Sequence, residues 1–173
     1  MTLEDAIIAD RKGELQLAAT AYEHVLTSGE VSLEALLNLA VLYWQATDPG
    51  MAAAKKLSHN FFTTAGRRTP ELLADAQRLF PKNAAPRFWS RYIAWADLNE
   101  PFDSEECREF MREDPATLVP AMRLFAASDG REAEAAALEL YRQCQDDGTT
   151  RARYVASVIQ AVLKRTGAPE TIG

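Results

Sequence analysis

Apolar residues recur every three or four positions along the chain, and short clusters of Gly, Pro, Asp, Asn, Ser and Thr cut the runs. This is the spacing of amphipathic helices. Thr2 with Asp5 three residues on has the spacing of a capping box, so a first helix is expected over about Leu3 to Arg11, broken near Gly13. A second runs from about Glu14 to Thr27, with Ser28-Gly29 as its stop. From Ser32, residues Leu33, Leu36, Leu37, Ala40, Tyr43 and Trp44 mark a wide buried stripe. Asp48-Pro49-Gly50 ends that helix and starts another, expected to reach about Ala65 before Gly66.

Thr69-Pro70 supplies an N-cap and a proline at the first helical position, so a new helix is expected there, ending at Phe80 before Pro81. Pro86 opens a helix with Phe88, Tyr92 and Trp95 on one face and Trp89 beside them, ending near Asn99. Asp103 with Glu106 repeats the capping-box spacing and opens a helix to about Glu113. Asp114-Pro115 is expected to cap the next, which runs to Ser128 with Pro120 near its start. After the Asp129-Gly130 turn, helices are expected over 131–146 and 149–165, with 167–173 a frayed tail. The prediction is an all-α chain of about ten short helices, joined by tight turns into antiparallel hairpins, with no strand.

Composition supports that picture. Thirty alanines stand against twelve valines and isoleucines combined, a balance that favours helix over sheet. A hydrophobic share of 47% excludes a disordered chain, and two cysteines cannot staple 173 residues. Cys107 and Cys144, without CxxC spacing, read as reduced, mostly buried thiols. The longest uncharged stretch, Ala35 to Thr47, is thirteen residues long and holds Asn38 and Gln45, too short and too polar to span a bilayer. The opening Met1-Thr2-Leu3-Glu4-Asp5 lacks the basic and apolar regions of a secretory signal. The expectation is a cytoplasmic protein with no membrane contact.

The helices also repeat. Ala6 is matched thirty-four residues on by Ala40 and again by Ala74, and Ala18 by Ala52. The stretch Gly13-x4-Ala18-x3-Tyr22-x2-Val25 resembles the second half of the tetratricopeptide repeat (TPR) motif, and Leu39-Ala40-x2-Tyr43 its first half. The resemblance covers about residues 2–66 well, and 67–101 and 129–147 weakly. Pro86 departs from the small residue that the motif has there, and Tyr141 falls out of register after Gly130 and Ala135 or Ala136. The resemblance implies one domain over 1–166, a short α-solenoid of hairpin units at roughly 2–30, 31–66, 67–101, 102–128 and 129–166. It also implies a groove lined by the first helix of each unit, showing Leu37, Val41, Trp44 and Gln45 in the second and Arg68, Glu71, Asp75 and Arg78 in the third. Some family members clamp a C-terminal carboxylate; Asn38 matches one of those positions, but Leu3 and Ile7 stand where lysine and asparagine are needed.

No arrangement for catalysis, metal or cofactor emerges. His24 and His59 are the only histidines, without HxxxH or HExxH spacing, and no GxGxxG, P-loop or GxSxG occurs. The run Glu105, Glu106, Glu109, Glu113 and Asp114 lacks the glycine turn of a calcium loop and reads as a solvated helix face. Arg67-Arg68-Thr69 could be a phosphorylation target, but capping accounts for the threonine more simply.

Charge adds one feature. The net charge of −6 is an average: residues 55–91 hold eight basic and two acidic side chains between two acidic arms. Arg87 and Arg91, one turn apart near Trp89, could grip an acidic peptide, a phosphate or a nucleic-acid backbone; the alternative is that the basic helices dock on acidic ones or simply face water. Together these patterns lead to a non-enzymatic protein–protein interaction module, a scaffold, adaptor or dedicated chaperone. Its candidate partner-binding residues are Asn38, Val41, Trp44, Gln45, Arg68, Arg78, Arg87 and Arg91. The partner is a protein or peptide, with nucleic acid disfavoured by the net charge and a homo-oligomer left open. A nucleic-acid or ribonucleoprotein factor using 55–91, and a divergent all-α enzyme, are the alternatives.

Overall fold

The structure, a computed structural model, describes residues 1–29 and 31–167; Glu30 and most of the expected 167–173 tail lie outside the described residues. Among the described residues it is all-α, with ten helices and no strand, an architecture compatible with a helical repeat. The chain divides into two compact units, one of Met1–Pro81 with Thr149–Arg151, the other of Lys82–Gly148 with Ala152–Gly173.

In the first unit, α1 (Leu3–Arg11) starts at the expected capping box: the Asp5 amide donates to Thr2 Oγ1 at 3.2 Å and the Thr2 amide to Asp5 Oδ2 at 2.7 Å. Gly13 turns the chain at a φ of 73°, a conformation open to glycine, and α2 (Leu15–Thr27) packs back on α1. The centre of the unit is α3 (Leu33–Ala46), capped by Ser32, with eleven of its fourteen residues buried. It packs on α2, on the short α4 (Pro49–Ala54) and above all on α5 (His59–Leu79). Ala6, Ala18 and Ala40 are all fully buried, as crossing residues should be, but Ala74 is exposed. The thirty-four-residue spacing therefore marks packing positions only up to α3.

Helix α5 overturns a sequence expectation. Gly66 and Thr69-Pro70 were expected to divide the chain, but α5 runs through both for twenty-one residues, so the expected boundary at 66/67 falls inside a helix. Thr69 does not cap; it is buried and its hydroxyl donates to the Ala65 carbonyl at 2.9 Å. The true start lies earlier, where Ser58 Oγ accepts from the Phe61 amide at 3.2 Å. Burial of Ala65, Leu72, Leu73 and Ala76 on one continuous stripe outweighs the hydrogen bond that Pro70 cannot make.

The second unit holds α6 (Ala85–Leu98), α7 (Ser104–Glu113), α8 (Val119–Ala127), α9 (Glu134–Asp147) and α10 (Thr150–Thr166) beyond its first turn. Its core is aromatic. Phe88 stacks on Tyr92 at 5.5 Å, Trp89 meets Tyr92 edge-on at 5.7 Å, and Phe88 touches Phe102 at 5.8 Å between centroids. Trp89 is fully buried; Trp95, expected in the core face, is half-buried with the Arg123 guanidinium 4.2 Å above its ring. Two helix starts also differ from expectation. Asp114 does not cap α8: its Oδ2 accepts from the Thr117 hydroxyl at 2.5 Å and the Ala84 amide at 3.0 Å, and α8 begins at Val119 with Pro120 in its first turn. α9 begins at Glu134 rather than 131, after left-handed residues at Asp129, Gly130 and Ala133.

Candidate functional site

A cleft of about 340 Å³ opens in the first unit between α2, α3 and the start of α5. Gln16, Ala19, Thr20 and Glu23, three and four apart, form one face of α2. Asn60, Phe61 and Thr64 form the facing stripe of α5, beside its cap Ser58, and Tyr43 of α3 lies at the base. The Tyr43 and Phe61 rings meet at 5.6 Å and 54°. The two stripes run in the same order, and past Thr64 the α5 stripe reaches Arg68, which bridges to α2.

That bridge carries the charge of the site. Arg68 holds Glu23 in a fork, Nε to Oε1 and Nη2 to Oε2, each at 2.9 Å, and the Tyr43 hydroxyl donates to Oε1 at 3.2 Å. Arg68 Nη1 also donates to Glu71 at 2.8 Å, and Arg67 closes on the same carboxylate. Burial, and next the Glu23 charge, push the Tyr43 phenol well above its usual range. The hydrogen bonds to Glu23 lead in raising Arg68, while Glu71 is lowered chiefly by its hydrogen bond from Arg68. Glu23 is thus compensated at the mouth of the cleft, and the lining between is uncharged.

Beneath the surface of the same unit lies a polar chain. Asp10, fully buried at the end of α1, accepts from the Thr150 amide at 2.9 Å, the Thr150 hydroxyl at 2.5 Å and the Tyr22 hydroxyl at 3.2 Å. Asn38 Nδ2 donates to the Tyr22 oxygen at 3.2 Å, and Asn38 Oδ1 accepts from Arg151 Nε at 2.7 Å. Burial, then the Asp10 charge, keep the Tyr22 phenol protonated far above its usual range. Every member of this network has a partner, which makes its burial tolerable.

The structure relocates the residues read from sequence. Asn38 and Val41 have no exposure and Trp44 8%, so these three form core rather than an open groove face; Gln45 is half-buried. The reason is that α3 is covered on both sides, by α2 and by α5, which leaves it no free stripe. Arg68 is at the cleft mouth. Arg78 pairs with Asp75 at 3.0 Å in the first unit. In the second unit Arg87 pairs with Glu113 and lies over Phe110, and Arg91 forks onto Glu106 at 2.8 and 2.9 Å, over Phe102. These four arginines are therefore each paired with a carboxylate of their own unit. Sequence reasoning missed Glu23, Asn60, Phe61 and Thr64 as site residues; the 16-20-23 stripe lay within one expected helix with nothing to mark its partner, and the 60-64-68 stripe fell across the assumed break at Gly66.

His24 and His59 are exposed, Cys107 and Cys144 are buried and not joined in a disulfide, and no cluster of three metal-ligating side chains occurs among the described residues. Among those residues no helix is long and apolar enough to cross a membrane. Compared with protein-family models, with curated proteins and with solved structures, the chain finds no match.

Proposed function

We propose that this chain is a non-enzymatic protein-interaction module, a scaffold, adaptor or dedicated chaperone acting in the cytoplasm, in which TPR-like hairpins hold open a groove for a partner segment. One observation carries the reading: α2 and α5 are spaced by α3 so that an open cleft of about 340 Å³, lined by nine side chains, remains between them. It offers hydroxyls, amides and two aromatic rings, the chemistry of recognition, and its one lining carboxylate is already engaged by Arg68. The internal pairing of Arg68, Arg78, Arg87 and Arg91 supports a protein over a nucleic-acid partner at those four guanidiniums, because each already faces a carboxylate.

The test is a photo-crosslinking amino acid placed at Asn60 in the full chain, in cells, with the same group at Arg112 in the second unit as control. Recovery of a discrete protein adduct from position 60 and not from 112 is expected. Equal labelling from both positions, or no protein adduct from position 60, would overturn the proposal.

A further inference from the structure

The groove between α2 and α5 also carries information about what fills it. We infer that it takes a short, extended, uncharged segment of the partner and reads that segment through its main chain; this rests on the interaction-module reading above. The first argument is dimension. From Gln16 to Glu23 is seven residues of helix, about 10 Å at a 1.5 Å rise, which matches roughly three residues of extended chain. A helix, about 10 Å across with its side chains, asks for a wider and longer trough than 340 Å³ supplies.

The second argument is hydrogen-bonding capacity. The amides of Gln16 and Asn60 each offer donors and an acceptor, as a peptide group does. Neither these amides nor the Thr64 hydroxyl has a side-chain hydrogen bond within the described residues, and the two amides stand on opposite walls. An extended segment laid between them finds on each side the complement of its own N–H and C=O. The third argument is charge. Glu23, the one charged lining residue, is held by Arg68 and Tyr43, so a charged side chain entering the groove would lose hydration without finding a counter-charge. Ala19 and the Tyr43–Phe61 pair leave a small apolar floor suited to one compact side chain.

The probe is a random library of linear dodecapeptides displayed on phage and selected on the intact chain. Binding peptides are expected to share an uncharged stretch of about three residues. N-methylation of main-chain amides in that stretch should weaken binding at least tenfold, as should the Gln16→Ala/Asn60→Ala double variant. Both positions are solvent-exposed, so the fold should survive, which a melting curve checks. Arg112→Ala should leave binding unchanged. Peptides that bind through charged residues, or that ignore both N-methylation and the double variant, overturn the main-chain readout while leaving the interaction reading intact. Failure to select any peptide overturns it too, and cross-linking from Asn60 then decides the broader reading on its own.

Discussion

The two units bury polarity in different ways. At the centre of the first, α3 is covered on both sides, yet Asp10, Tyr22, Asn38 and Thr150 share a hydrogen-bonded chain there. At the centre of the second, Phe88, Trp89, Tyr92, Phe102 and Tyr154 pack ring on ring, with the Tyr92–Tyr154 hydroxyl contact of 2.8 Å at their margin. Packing of rings tolerates small shifts, whereas a buried hydrogen-bonded chain holds its members at fixed distances and angles. The first unit is thereby given a defined geometry, and the cleft lined by Gln16 and Asn60 lies in it. The second is given bulk.

This contrast predicts different responses to mutation. The largest effect should come from Trp89→Ala, which empties the second unit's core and should cost about 3–5 kcal/mol in urea unfolding. Next is Asp10→Ala, which removes the carboxylate that accepts from the Tyr22 hydroxyl and from the Thr150 amide and hydroxyl, and should cost about 2–3 kcal/mol. Asp10→Asn keeps an acceptor and should cost clearly less. If Asp10→Ala and Asp10→Asn prove equally mild, the polar chain fixes nothing and the contrast between the units fails.

Much of the fold was legible because its signals are local. Thr2 and Asp103 each cap the helix that their spacing announces, and α3 begins after Ser32, where the apolar stripe starts. The misreadings arose where tertiary packing overrode a local signal. Gly66 and Thr69-Pro70 read as a stop and a start, but α5 gains more from a continuous stripe on α3 than it loses at Pro70. That loss can be measured: Pro70 is exposed, and Pro70→Ala restores a donor to the Gly66 carbonyl, so stability should rise by about 1–3 kcal/mol. An unchanged urea midpoint would mean that the helix is not strained there. The site was less legible than the fold. Arg68 was visible as a charge, but its partner Glu23 lies forty-five residues away, and Asp10 meets Thr150 across one hundred and forty. No spacing rule reaches so far, and a charged residue read without its partner passes for a free one.

The smallest expected effect sharpens the same comparison from the alkaline side. In the second unit, burial pushes the Cys107 thiol up to about 12, with Arg123 opposing. Raised phenols occur in both units, Tyr22 and Tyr43 in the first and Tyr92 and Tyr154 in the second, and they ionise in an unfolded chain only near pH 10. A raised acid keeps its proton in the folded state, so once the pH passes the unfolded value the unfolded chain binds fewer protons and stability falls. That loss begins for Cys107 near pH 9 and for the phenols about one unit later. Melting curves should therefore show a first decline between pH 9 and 10, worth about 1 kcal/mol and absent in Cys107→Ala. A steeper decline above pH 10, common to both proteins, should follow. If Cys107→Ala and the parent decline together from pH 9, the thiol is not held neutral by the fold, and the aromatic unit is wetter than its packing implies.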